Sequence, residues 1–124
     1  MVLVHGAMDR GSSFMRSVML LDGFKAVVYD RCGYASSVQC TPRPGSVLAS
    51  HAADLVELIE DEGVPATVVG HSYGGIVALK AAAARPDLVA SLGLYESPMP
   101  WLPEWPGSTA GASAALAGSS EDAA

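Results

Sequence analysis

The chain has 124 residues, half of them hydrophobic and only 16% charged, which suffices for one domain and argues against a disordered polypeptide. Thirteen acidic against seven basic residues leave a net charge of −6, so the cations that a nucleic-acid partner demands are in short supply. No run approaches the ~18 apolar residues of a membrane span, and neither nucleic acid nor membrane is an expected partner.

Met1-Val2-Leu3-Val4-His5-Gly6 opens the chain without the basic start of a leader peptide. Its apolar run, Val2 to Val4, reads as a strand. Ser12 to Leu21 follows as a helix and Ala26 to Tyr29 as a second strand, before a polar loop from Asp30 to Gly45. Between Ser46 and Glu62, Leu48, Ala52, Leu55 and Ile59 recur at helical spacing, which leaves His51 off the apolar stripe and facing solvent. Gly63 and Pro65 end that helix. Thr67 to Val69 is a buried-type strand, Tyr73 to Arg85 an Ala-rich helix, and Val89 to Tyr95 a fourth strand. Strands alternating with helices in this way predict an α/β fold with a parallel sheet.

Cys32 and Cys40 are too few for a disulfide scaffold and have neither CxxC spacing nor a His cluster for zinc. A bridge between them stays open, but free thiols in a reducing cytoplasm are the expectation. No metal and no cofactor is expected.

The chemistry-bearing stretch is Gly70-His71-Ser72-Tyr73-Gly74-Gly75, which follows a strand and opens a helix. A serine at so sharp a turn projects its oxygen above the sheet, and glycines two residues to either side spare the turn a collision. The helix start behind it offers backbone N–H groups to developing negative charge. A nucleotide-binding turn is excluded, because neither GxGxxG nor GK[ST] follows the strand.

With these residues in view, the chain resembles the α/β-hydrolases over roughly residues 1–106. Leu3-Val4-His5-Gly6 is similar to the strand and HG turn before the oxyanion loop, and Asp30-Arg31-Cys32-Gly33-Tyr34-Ala35-Ser36 to the D-R-x-G-x-G-x-S loop. Gly70 to Gly75 resembles the nucleophile elbow, and Leu94-Tyr95-Glu96-Ser97-Pro98 the end of the sixth strand. Cys32 and Ala35 depart from the pattern, standing where such loops often carry a basic residue and a glycine.

The resemblance implies a partial α/β-hydrolase covering the third to sixth strands, with a four-stranded, mostly parallel sheet in the order 4-3-5-6 and helices on both faces. Residues 1–98 would form the core, and residues 99–124, rich in Pro with Trp101 and Trp105, a mobile loop opening a lid. Ser72 is then the nucleophile, with Gly70 and Gly74 shaping the elbow. The N–H groups of Tyr73 and Ala7 are the oxyanion donors, with Met8 as substitute for Ala7. Glu96 is a candidate acid, Asp30 a structural hydrogen-bonding group and His5 a structural histidine.

The implied activity is hydrolysis of an ester or related bond in a small molecule. A serine nucleophile counts against the epoxide and haloalkane branches, which use a carboxylate, and leaves acyl transfer and perhydrolysis open. No histidine follows His71, whereas the family places its catalytic histidine after the serine and the acid. The alternative expectation is therefore a catalytically incomplete fragment, inactive alone.

Overall fold

The computed structural model describes residues 1–99, 101 and 102. Four strands, β1 (Val2–Val4), β2 (Val27–Val28), β3 (Ala66–His71) and β4 (Val89–Tyr95), form one sheet in the order β2-β1-β3-β4, every pair parallel. This is the order expected from the sequence. Three helices accompany them: α1 (Met15–Val18), α2 (Val47–Glu62) and α3 (Tyr73–Ala84).

Both faces of β1 are covered, whereas β3 alternates buried with half-buried residues. Val2 and Val4 on β1 join Val68 of β3 in a core with Leu55 and Ile59 of α2 and Val77, Ala78 and Ala81 of α3. Leu3 points the other way and is also buried, on the side where the turn Gly11–Phe14 lies against β1. A strand buried on both faces reads as a continuous apolar run rather than an alternating one, as Val2-Leu3-Val4 does. The Ala-rich face of α3 lets it sit close to both α2 and the sheet.

The helix boundaries follow from local chemistry. The Ser46 hydroxyl accepts from Ala49 N–H at 3.1 Å and caps α2, and Gly63, at φ 75°, closes it in the left-handed conformation that glycine adopts without strain. The helix expected over residues 12–21 is shorter, a 3-10 turn running into the four residues of α1. Its Met15, Met19 and Leu20 are exposed, so little burial holds a longer helix together. Likewise β2 is two residues long, paired on one side only with β1.

The free-thiol expectation is corrected. Cys32 and Cys40 form a disulfide across a Cα separation of 5.2 Å. The 3-10 turn Ala35–Ser37 between them folds the loop back on itself, with Gly33 N–H and Cys40 N–H both donating to Ser37 O. That return, invisible in the spacing, brings the two thiols within bonding range.

Met99, Trp101 and Leu102 belong to the segment expected to open a lid, and Trp101 is exposed. Trp105 and the rest of that segment lie outside the described residues. Among the described residues, no helix is long and apolar enough to cross a membrane, and no group of three His, Cys, Asp or Glu side chains could hold a metal ion.

Candidate functional site

β1, β3 and β4 end side by side, in the register Val4–Gly70–Leu94. The chain leaves β3 at His71, turns at Ser72 and enters α3 at Tyr73. Ser72 has φ 52° and ψ −124°, a conformation normally left to glycine. Such a position costs roughly 1–3 kcal/mol and persists only where the surroundings impose it. Here Ser72 N–H donates to Tyr95 O and Ser72 O accepts from Gly75 N–H, both at 2.9 Å, pinning the turn from both sides.

The glycines are demanded by contact. A Cβ on Gly70 would lie 2.5 Å from Gly74 O and from Gly75 Cα. One on Gly74 would collide with Val4 O, and one on Gly75 with the Ser97 hydroxyl. The turn therefore sits with its backbone directly against β1. As the first residue of α3, Tyr73 offers an N–H that the helix itself does not use.

The loop after β1 supplies the opposite wall. Gly6 is buried against the turn, where a Cβ would come within 3.2 Å of Ser72 Cβ. Ala7 and Met8 follow and are exposed, Met8 at a positive φ of 55°. His5 is fully buried, and its two ring nitrogens are engaged. Arg31 N–H can only donate, so His5 Nε2 accepts from it at 3.0 Å, and Nδ1 carries the proton donated to Gly6 O at 2.9 Å. Burial holds the His5 imidazole below its ordinary range, in keeping with a neutral ring. Its structural role is thus visible in the bonds it makes.

Arg31 is 1% exposed. Its Nε donates to His5 O at 3.0 Å and its Nη2 to Gly6 O at 2.7 Å. The guanidinium lies over the Tyr34 ring at 4.4 Å and over the Tyr73 ring at 5.1 Å. Asp30 accepts from Gly11 N–H at 2.8 Å and from the Ser36 hydroxyl at 2.5 Å, the structural role expected of it. The Ser36 hydroxyl, with the Gly11 N–H, holds the Asp30 carboxyl below the usual carboxylate range.

His51 is a second correction. It is 4% exposed rather than solvent-facing, its ring 6.2 Å from that of Tyr34 and 6.3 Å from that of Tyr73. The loop of residues 30–46 covers this side of α2, with Arg43 N–H donating to the buried Ser50 hydroxyl at 2.9 Å. The helix consequently buries a wider face than its apolar stripe marks. Burial holds the His51 imidazole low as well.

On the far side of Ser72, Glu96 stands at the end of β4, one residue beyond the carbonyl that receives Ser72 N–H. It has φ 49°, its side chain is 71% exposed, and its carboxylate lies 3.9 Å from His71 Nε2. Asp9 approaches His71 Nδ1 from the other side at 4.0 Å and is held in place by the Ser13 hydroxyl and Arg10 N–H. The His71 ring also leans on Tyr95, 5.3 Å between centroids. The structure therefore gathers Ser72, Tyr73, Gly6-Ala7 and Glu96 at one end of the sheet. Asp9, Arg31 and Tyr34 join them without having been assigned site roles from sequence. The signal for Arg31 and Tyr34 lay in the D-R loop motif, and that for Asp9 in its place four positions after His5.

The chain matches the family model described as "Alpha/beta hydrolase family" over residues 1–123. It is 34% identical over 94 residues to Lipase LipV of Mycobacterium tuberculosis, covering 75% of this chain and 35% of that protein. Among solved structures, an alpha/beta hydrolase from Sphaerobacter thermophilus superposes with a TM-score of 0.67 at 30% identity, over 78% of this chain and 37% of the other. An epoxide hydrolase from an endophytic Streptomyces gives 0.66 at 30% identity, over 79% and 30%. The chain spans about a third of the length of the relatives it matches.

Proposed function

The chain belongs to the α/β-hydrolase family, and from that premise we propose that it carries the nucleophile and oxyanion donors of a serine hydrolase acting on ester or related bonds of small molecules. The observation that carries this reading is the backbone of Ser72, forced to φ 52° at a strand-to-helix turn whose flanking glycines admit no side chain. In this reading Ser72 Oγ adds to the ester carbonyl carbon, the tetrahedral adduct collapses with cleavage of the C–O bond, the alcohol leaves with the serine's proton, and water then hydrolyses the acyl-enzyme that remains. The N–H groups of Tyr73 and Ala7 stabilise the oxyanion, with Glu96 as the candidate acid beside them. Beyond Glu96 the chain leads into the segment expected to open a lid. Trp101, exposed there, is available to line a substrate pocket.

A second reading, that these 124 residues alone do not turn over substrate, is favoured by the histidines. His5 has both ring nitrogens engaged, His51 is buried among Tyr34 and Tyr73, and His71 sits between Asp9 and Glu96. None stands as a base for Ser72. Losing a triad member costs about 10⁴–10⁶ in kcat. The 124-residue chain should accordingly hydrolyse p-nitrophenyl esters only at a background rate that Ser72→Ala leaves unchanged. Robust turnover abolished by Ser72→Ala would overturn this second reading, and His→Ala variants would then identify the base. The disulfide removes the free-thiol support for a cytoplasmic location, and no compartment is proposed in its place.

A further inference from the structure

The buried Arg31 does more than fill space beneath the site. A guanidinium 1% exposed and without a carboxylate partner among the described residues is an expensive group to keep, because buried charge is costly unless it is fully bonded. Its bonds go to two successive carbonyls, those of His5 and Gly6, its Nη1 is buried without a hydrogen-bond partner among the described residues, and the group lies over the Tyr34 and Tyr73 rings. These contacts lead to the two residues read above as oxyanion donors.

The geometry of the peptide unit makes the link specific. In a trans peptide the C=O and the following N–H point in opposite directions. There is no cis peptide among the described residues, so drawing Gly6 O toward Arg31 turns Ala7 N–H away from it. Gly6 O is fixed by two donors, Arg31 Nη2 at 2.7 Å and His5 Nδ1 at 2.9 Å, and the His5 ring is itself oriented by Arg31 N–H at 3.0 Å. Gly6 packs against Ser72 Cβ on its other side. The 6–7 peptide is thus held between Arg31 and Ser72.

The Tyr73 ring, its centroid 5.1 Å from Cζ of the same guanidinium, ties down the side chain of the residue that bears the second donor. A planar guanidinium can bridge two carbonyls while stacked between rings, and an ammonium cannot.

We infer that Arg31 is the positioning residue of the oxyanion hole, setting the direction of Ala7 N–H through the His5 and Gly6 carbonyls and steadying Tyr73 through its ring. The inference rests on the serine-hydrolase reading of Ser72. It adds a residue that touches no substrate and acts through the two that do.

The test compares the full-length protein carrying this sequence with its Arg31→Lys variant, using an alkyl fluorophosphonate as probe. Loss of one oxyanion donor costs about 10²–10³ in rate. Partial misalignment should lower the phosphonylation rate constant by about tenfold or more, with the probe's reversible affinity little changed. Equal rate constants for the two proteins would overturn the inference, because a merely structural arginine has no reason to act on the chemical step alone.

Should Arg31→Lys fail to fold, Tyr34→Leu removes one face of the stack and keeps the charge. It should show the same split, smaller in size, and an unchanged rate constant would again count against the inference. If the parent is not labelled at all, the serine-hydrolase reading falls. The clamp is then read directly from the carbonyl ¹³C shift of Gly6 and the amide ¹⁵N shift of Ala7. Both should move in Arg31→Lys, and unmoved resonances would overturn the clamp as well.

Discussion

The two flanks of Ser72 are built differently. On one side the loop after β1 and the loop carrying Arg31 are buried and cross-tied: His5, Gly6, Arg31 and Cys32 are all buried, and a disulfide closes the loop behind them. On the other side β4 lies at the edge of the described sheet, and its last residues, Leu94 and Tyr95, are exposed, as is Glu96 after them. The turn itself is tied to both, by backbone contact with β1 and by the Ser72–Tyr95 hydrogen bond. The flank proposed to carry the oxyanion donors is therefore buried and cross-tied, whereas the flank proposed to carry the acid is exposed.

The sharpest way to break the tied flank is Gly74→Ala, since a Cβ there collides with Val4 O, which is backbone and cannot swing aside. We expect a loss of about 3 kcal/mol or more in denaturant unfolding. An Ala at position 74 with parental stability would show that α3 does not press on β1 as described.

Next in size is reduction of Cys32–Cys40. The bridge closes a short loop, with a sequence separation of 8, and the chain-entropy estimate for such a loop is ~2.5 kcal/mol. Melting with and without dithiothreitol should differ accordingly, and a Cys32→Ala/Cys40→Ala double variant should melt like the reduced protein and be indifferent to reductant.

The buried histidines give a smaller, pH-dependent effect on the same flank. His5 and His51 are both held below the ordinary 6.5 by burial. Below that value the unfolded chain binds protons that the folded chain refuses, so stability is fully present above about pH 6.5 and is lost as pH falls toward the lowered folded values. The carboxylates of Asp9 and Asp30, also held low, act in a separate window below their ordinary 3.8. The melting temperature at pH 5.5 should therefore lie below that at pH 7.5, and His51→Gln should flatten the difference. A flat profile in the parent protein would contradict the burial of these rings.

The smallest effects compare the flanks directly. Ala35, in the Arg31 loop, and Glu96, at the end of β4, both hold positive φ, at 41° and 49°. Replacing either by glycine relieves strain but loosens the unfolded chain, so each should change stability by less than about 1 kcal/mol. A larger gain at Ala35 than at Glu96 is expected, because the disulfide and Asp30 impose the conformation of the first loop, while the second is free at the surface.

The strand-to-helix turn at Ser72 was legible in the sequence because its requirements are local. Gly70, Ser72 and Gly74 are spaced by the turn they make, and each glycine answers a contact a few residues away in the chain or in the adjoining strand. The sheet order was legible only through the resemblance to the α/β-hydrolases, which assigns each strand its place.

What escaped depends on how a loop returns. The Cys32–Cys40 pairing is decided by the turn at Ala35–Ser37, and the burial of His51 by the loop of residues 30–46 lying across α2. Neither leaves a mark in hydrophobic periodicity. Arg31 stood in a recognised motif, but only the directions of the His5 and Gly6 carbonyls reveal what it holds.

The central claim is that this fold presents Ser72 as its nucleophile. Mass-spectrometric mapping of a fluorophosphonate adduct on the full-length protein carrying this sequence tests it most directly. The account predicts a single phosphonyl adduct on the peptide containing Ser72, absent in Ser72→Ala. Labelling that survives Ser72→Ala, or maps to another serine, would contradict it.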